Sequence, residues 1–360
     1  MKKIITLMLI LALICQMLVA CSSPAAGQAQ APQGTVTAPE QAPQDTGSKP
    51  AVDSGETYTI KLAHVGDLSH HYQVGGEKFK ELVEERSGGR ITVDVYGNSQ
   101  LGDERSILES LQMGAIEMGI ITSGALSGFV PSFSIVDLGY LINSKEEAKK
   151  IFASEVGQSL SSQMSAAGIK NLGDVSCGFR SVYTTKPITA VADIKGMTIR
   201  TMENPSHMAC FTALGANPVP MAWGELYTAI QQGTVDGAEN VPDMYYNSKH
   251  YEVAKEYNLT EHVYLVVMWM CSEAFYTKLP ADLQTIVLEC ANEAIAFEEN
   301  LYAENEAVIM EQLKAAGVQV NTVDKEAFRA QVVSSWDGSA ATIQDGAENL
   351  SKVKTLLGIS

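Results

Sequence analysis

Beyond its first 20 residues the sequence has no apolar run that resembles a membrane span. Positive charge is scarce: 25 Lys and Arg stand against 42 Asp and Glu, a net charge of −17, which argues against a nucleic-acid partner. Close cysteine pairs are missing. With Cys15 and Cys21 set aside, Cys177, Cys210, Cys271 and Cys290 lie far apart and read as small buried hydrophobes rather than disulfides. There is no Gly-x-Ser-x-Gly, no His-Glu-x-x-His, no phosphate loop and no dinucleotide fingerprint. Ser176-Cys177-Gly178 lacks the leading glycine of a nucleophile turn and reads as a polar strand end. Neither a cofactor nor a metal site is expected. His70-His71 is the one histidine cluster, and because adjacent residues on a regular element point apart, the pair reads as ordinary loop histidines.

What is present begins with an export signal. Lys2 and Lys3 precede an apolar stretch, Ile4 to Ala20, that ends in Leu18-Val19-Ala20-Cys21. This layout predicts a lipoprotein signal peptide over residues 1–20, with Cys21 acylated and anchored to the cell membrane on its outer side. A short transmembrane anchor is the rival reading. Residues 21–56 are Ala, Pro, Gln, Gly, Ser and Thr with almost no large apolar side chain, a composition that predicts a disordered, partly extended tether.

The remaining 300 or so residues are long enough for two lobes on a soft prior of about 150 residues each. Val74 to Arg86 places Val74, Phe79, Leu82 and Val83 on one helical face before Gly88-Gly89, and Ile91, Val93 and Val95 then alternate as a strand. Gly102-Asp103 opens a helix that Gly114 ends, followed by a buried strand from Ile116 to Ile121. The rhythm restarts with a strand at Met197–Arg200, a helix capped by Asn204-Pro205 and ended by Gly215, a helix from Trp223 to Gln232, and a strand from Thr234 to Ala238. Ala281 to Ala316 has neither Gly nor Pro and reads as one long helix of about 50 Å. The pattern predicts an α/β body with a largely parallel sheet. Arg180 and Arg200 fall at strand ends, where open α/β sheets bind ligands, and a guanidinium fork suits a carboxylate. Each could equally form an ion pair with Asp174, Asp193 or Glu203.

Several segments taken together resemble one family. Asn98-Ser-Gln-Leu-Gly-Asp-Glu-Arg105, Gly178-Phe-Arg180, Asp193-Ile-Lys-Gly-Met-Thr-Ile-Arg200, Leu214-Gly-Ala-Asn-Pro-Val-Pro220, Glu225-Leu-Tyr-Thr-Ala and Val235-Asp-Gly-Ala-Glu-Asn240 are similar, in order and spacing, to the solute-binding subunits of TRAP transporters, the DctP-like family. The likeness covers about residues 57 to 320. It implies a two-lobed, periplasmic-binding-protein-like α/β fold with a hinge, crossing strands and a long helix spanning both lobes: residues 57–177 with 266–305 as the first lobe, and 178–265 with 306–360 as the second. It implies no catalysis. Arg200 takes the place of the carboxylate clamp, Arg180 of a second pocket cation, Asn240 of a carboxylate contact and Trp223 of an aromatic against the ligand; Glu104 and Thr122 stand at first-lobe contacts, and His71 is added as a further ligand-binding candidate. The implied partners are a small organic acid, with uronates and related sugar acids ahead of C4-dicarboxylates, and TRAP-type membrane subunits; the protein is expected to be a monomer. Ala238, Val241 and Gly139 depart from the family's usual Gln, Pro and Pro, and Thr122 stands where sialic-acid binders often carry an acid. Rival readings are a binding protein for an ABC transporter or sensor, and a tethered enzyme whose general base would have to be His70, His71 or Glu104.

Overall fold

A computed structural model describes residues 55–359; the predicted signal, Cys21 and all of the tether but its last two residues, Gly55 and Glu56, lie outside the described residues. Nine strands form a single sheet: β1 (Tyr58–Ala63), β2 (Ile91–Tyr96), β3 (Met118–Thr122), β4 (Ile169–Thr184), β5 (Thr198–Thr201), β6 (Asn217–Pro220), β7 (Gly237–Asn240), β8 (Glu256–Ser272) and β9 (Gln319–Asn321). Their order is β2-β1-β3-β8-β4-β7-β5-β6, with β9 also paired to β8. The sheet is mixed rather than largely parallel: β1–β2, β1–β3, β5–β6, β5–β7 and β8–β9 run parallel, whereas β3–β8, β4–β8 and β4–β7 are antiparallel. The antiparallel pairs arise because β4 and β8 do not belong to a local βαβ unit. They run 16 and 17 residues and carry the chain from one half of the sheet to the other. Their pairing is irregular between Asn171 and Gly173, between Ser176 and Phe179, and between Arg180 and Val182. Gly178 sits in the middle of that stretch at φ 69°, a conformation that a side chain with a Cβ resists.

Local chemistry sets several helix ends. Asp103 accepts from the Ser106 amide to cap helix Glu104–Met113, and Gly114 closes it at φ 68°. Asn204 accepts from the Ser206 and His207 amides and Pro205 occupies the first turn of helix Pro205–Ala213. Helix His71–Arg86 begins three residues before the expected start, with His70 as its cap; Phe79, Leu82 and Val83 are buried, but Val74 is 37% exposed and is not on the core face. Trp223 opens a short 3-10 turn, Trp223–Glu225, and the α-helix proper is Leu226–Gln231. The strand expected over Thr234–Ala238 is displaced to Gly237–Asn240, because the Gly233 turn and the Asp236 amide's bond to the Thr198 carbonyl use the intervening residues.

Helix Ala281–Ala315 is the one 35-residue helix expected. Its buried face packs on helix His71–Arg86, on β4, and on helix Pro242–Asn247. Most of the core is one cluster that includes Phe79, Ile120, Val267 and Trp269, and a smaller one gathers Tyr183, Leu226, Tyr245, Tyr257 and Leu313. Cys177, Cys210, Cys271 and Cys290 are buried free thiols. Among the described residues no helix is long and apolar enough to cross a membrane.

Candidate functional site

A cleft of about 420 Å³ opens between the start of helix Glu104–Met113 and the ends of β5 and β6. That is within the size range of small-molecule sites. Arg200, Trp223 and Glu104 are on its wall. Arg200 is in β5, 4% exposed, and donates from Nε and Nη2 to the Met221 carbonyl at 2.9 and 2.6 Å. Among the described residues no carboxylate pairs with it, so Asp174, Asp193 and Glu203 are not its partners. Burial lowers its pKa from the ordinary value, while the charge of Glu239 works the other way. A buried cation whose one edge is held by a carbonyl and whose other edge is unpaired is prepared for an anion.

Trp223 braces this arginine. Its ring lies 5.5 Å from Arg200 Cζ and 4.6 Å from the ring of His250, and its Nε1 donates to Ser248 Oγ at 3.2 Å. His250 pairs through Nδ1 with the Tyr183 hydroxyl at 2.8 Å. Burial, and after it the Arg200 charge, pushes His250 down to about 3, so the ring beneath the tryptophan stays neutral near neutral pH. Nothing in the sequence marked His250 or the Met221 carbonyl, since both are brought in by the fold.

Arg180 is in the interior of β4 rather than at a strand end, 1% exposed, and it has an acidic partner. It donates to both carboxylate oxygens of Glu239, at 2.5 Å from Nε and 2.7 Å from Nη2, to the Glu239 carbonyl at 2.9 Å, and to Asn240 Oδ1 at 3.0 Å from Nη1. Glu239 was missed by sequence reasoning, although it adjoins Asn240 on β7; the β4–β7 register sets Val182 opposite Glu239 and Ser181 opposite Asn240. Burial opposes ionisation of Glu239, yet the Arg180 charge and the neighbouring His207 and His262 hold its carboxyl well below the usual range. Arg180 is thus compensated before any ligand arrives. Asn240 Oδ1 also accepts from the Val241 amide at 2.9 Å, as a turn residue does.

Glu104, half-buried, accepts from the Thr122 amide at 2.8 Å and from Thr122 Oγ1 at 2.9 Å. Loss of solvation raises its pKa, partly offset by those two bonds. Thr122 thus meets the cleft wall through Glu104 and, from Oγ1 at 3.8 Å, through Met202 Sδ. Asp103, Arg105, Glu203 and Glu225 complete the charged wall. Arg105 donates to Glu203 at 2.9 Å and to Glu109 at 3.1 Å.

His71 is elsewhere. It borders a separate hollow of about 180 Å³ with Asp243, Tyr246 and Tyr302. The two histidines are not loop residues but cap and first residue of a helix, 1% and 8% exposed, with rings 4.2 Å apart. Both approach Asp243 Oδ2 to 3.0 Å, and His71 Nδ1 also meets Glu298 Oε1 at 2.7 Å. Glu298 in turn accepts from Trp269 Nε1 at 2.7 Å. Two histidines and an aspartate this close have the spacing of a metal site. His70 Nδ1 accepts from the Tyr72 amide, and His71 faces a carboxylate from each nitrogen. Burial works against protonating His71, but Asp243, Cys177 and Glu298 raise its pKa well above the ordinary value. The cluster brings together helix His71–Arg86, helix Pro242–Asn247 and the long helix.

An α/β body built on two crossing strands, with a ligand-sized cleft walled by an arginine that has no acidic partner among the described residues, has the architecture of an extracytoplasmic solute-binding protein. The chain belongs to DctP, the bacterial extracellular solute-binding protein family 7, whose model matches residues 62–342. It is similar to the C4-dicarboxylate-binding periplasmic protein of Rhodobacter capsulatus, with 31% identity over 309 residues, 83% of this chain and 91% of that protein. Among solved structures it resembles a TRAP periplasmic solute binding protein from Polaromonas sp. JS666 bound to D-erythronate, with 35% identity, a TM-score of 0.78, and 83% of this chain and 98% of that one covered. A TRAP periplasmic solute binding protein from Sulfitobacter sp. NAS-14.1 with bound β-D-galacturonate matches at 30% identity and a TM-score of 0.78, covering 83% and 98%. The two-lobed fold is that of these neighbours, which are binding proteins rather than enzymes.

Proposed function

We propose that this protein captures a small organic acid, a uronate or related sugar acid, in the cleft beside Arg200 and delivers it to TRAP-type membrane subunits. The observation that carries this reading is Arg200: a nearly buried guanidinium with one edge fixed on the Met221 carbonyl and no acidic partner among the described residues. Its free edge takes the carboxylate, Trp223 packs beside the ligand, and Glu104 accepts from hydroxyls. Arg180 and Asn240 act from behind the wall, Thr122 through Glu104, and His71 fixes the tie between lobes. The sugar-acid ligands named for the solved neighbours support this choice.

In this reading residues 57–177 with 266–305 form one lobe and 178–265 with 306–360 the other. The irregular β4–β8 pairing near Ser176 and Phe179 falls at that boundary and supports bending there. Cys21 carries the lipid, residues 21–56 are the tether, and the protein works as a monomer. A thermal-shift screen of organic acids tests the core of the proposal: a ligand present at 100 times its Kd adds about 2.7 kcal/mol of stability. Uronates and aldonates should shift the transition and neutral sugars should not. Mass spectrometry of native protein tests the anchor, and an unmodified Cys21 or an intact Met1 would remove it.

A further inference from the structure

We propose that Glu203 decides how many carboxylates the cleft accepts: by pairing with Arg105 on the cleft wall it leaves Arg200 as the one cation for an incoming acid, so acids with one carboxylate are bound and acids with two are refused. The proposal rests on the organic-acid reading above and narrows it.

Three arginines are at or near the cleft, and two already have acidic partners. Arg180 is held by both oxygens of Glu239. Arg105 lines the cleft, but its Nη1 donates to Glu203 at 2.9 Å and its Nε to Glu109 at 3.1 Å. Only Arg200 has no carboxylate among the described residues. The formal charges on the wall are two cations, Arg105 and Arg200, and four carboxylates, Asp103, Glu104, Glu203 and Glu225, a balance of 2 − 4 = −2.

A ligand whose carboxylate takes the free edge of Arg200 extends its other end toward this acidic side. Hydroxyls suit that end, because Glu104 and its neighbours are acceptors. A second carboxylate does not: it meets like charges and a cation already paired. At an effective dielectric of about 20, one unit charge about 6 Å away changes an affinity on the order of 100-fold. The Glu203 side chain is 70% exposed, so solvent screening brings the expected penalty to about tenfold.

Glu203 counts twice in this balance. It repels the second carboxylate, and it occupies the Nη1 edge of Arg105, whose Nε stays on Glu109, so that this edge is not offered to a ligand. Arg105 is the second residue of helix Glu104–Met113 and Glu203 follows β5, so the ion pair joins segments 98 residues apart across the cleft. Specificity of this kind is exclusion of a rival rather than tighter contact with the preferred ligand. The related C4-dicarboxylate-binding protein shows that the family includes carriers of two-carboxylate acids, so the distinction has a rival to act on.

Calorimetry on the purified protein with galacturonate, galactonate and galactarate tests the proposal, since the last differs from the other two in carrying a second carboxylate on the same six-carbon skeleton. Wild type should prefer the better of the two monocarboxylates over galactarate by about tenfold or more. Glu203→Gln, at an exposed position, should reduce that preference at least fivefold through a gain in galactarate affinity. Adding Arg105→Gln to Glu203→Gln should restore the preference, because the guanidinium edge that Glu203 had occupied is gone. A Glu203→Gln ratio within twofold of wild type, or a wild type that binds galactarate as tightly as the monocarboxylates, overturns it. Binding of none of the three overturns it as well, by removing the organic-acid reading itself, and differs visibly because the monocarboxylates fail too.

Discussion

The Arg200 guanidinium grips the Met221 carbonyl with two N–H groups, at 2.9 and 2.6 Å, and so presents its remaining edge in a fixed plane. A fork whose orientation is set before the ligand arrives loses little entropy on binding. Arg200→Ala should weaken the best sugar acid by about 30-fold to several thousand-fold, matching ~2–5 kcal/mol for one member of a buried charge pair. Arg200→Lys keeps the charge but not the planar fork, and should fall between that and wild type. Calorimetry, with circular dichroism to show that both variants fold, measures this. A loss of less than threefold in Arg200→Ala removes the clamp.

Arg180 and Glu239 make the opposite prediction, on stability rather than affinity. Both are buried, and each is the other's charge partner. Glu239→Gln leaves a guanidinium without compensation and should cost about 3–5 kcal/mol in chemical denaturation. Replacing the pair together, Arg180→Met with Glu239→Gln, should recover part of that loss, which a double-mutant cycle reads as coupling.

Acid should destabilise the protein before it touches the clamp. Burial pushes His64 down to about 4 and His250 down to about 3 from an ordinary 6.5, so the unfolded chain takes up their protons first. Their contribution is complete above pH 6.5 and is lost as pH falls toward those lower values. Glu239, held below its ordinary 4.5, adds a further loss below that pH. His71 has the opposite sign: its raised pKa contributes stability below 6.5 that is lost only as pH rises through the folded value. Melting temperature should therefore fall from pH 6.5 to 4, with His250→Gln flattening part of the slope.

Gly237 lies where β7 meets β4, and an added Cβ would come within 2.2 Å of the Tyr183 carbonyl oxygen and 2.8 Å of Thr184 Cα. Both are backbone-borne and cannot swing away. Gly237→Ala should destabilise the fold by about 1–3 kcal/mol, and urea denaturation checks it.

Elements written in short-range chemistry were legible in the sequence. The Asp103 cap, the Gly114 terminus, the Asn204-Pro205 start and the uninterrupted long helix depend on residues within a turn or two of each other. The strand-end position singled out Arg200 beside Arg180, the resemblance made it the clamp, and among the described residues the fold leaves it without an acid. What periodicity missed depends on partners far away in the chain. Glu239 is 59 residues from Arg180, and Glu298 is 227 from His71. A glutamate beside an asparagine, or a pair of histidines, carries no local sign of a partner at that distance. β7 was misplaced for a related reason: four residues are too few for alternation to show.

The two long strands have a consequence for how this molecule comes apart. β4 and β8 each contribute to the sheet on both sides of the Ser176–Phe179 irregularity, and β3 is bonded to one end of β8 while β9 is bonded to the other. No contiguous stretch of chain therefore contains one lobe with its sheet complete. Cutting the gene between lobes would leave each fragment with a torn strand edge and half of its core exposed. The lobes should melt in one cooperative transition, and any movement between them would have to flex shared backbone rather than swivel on a linker.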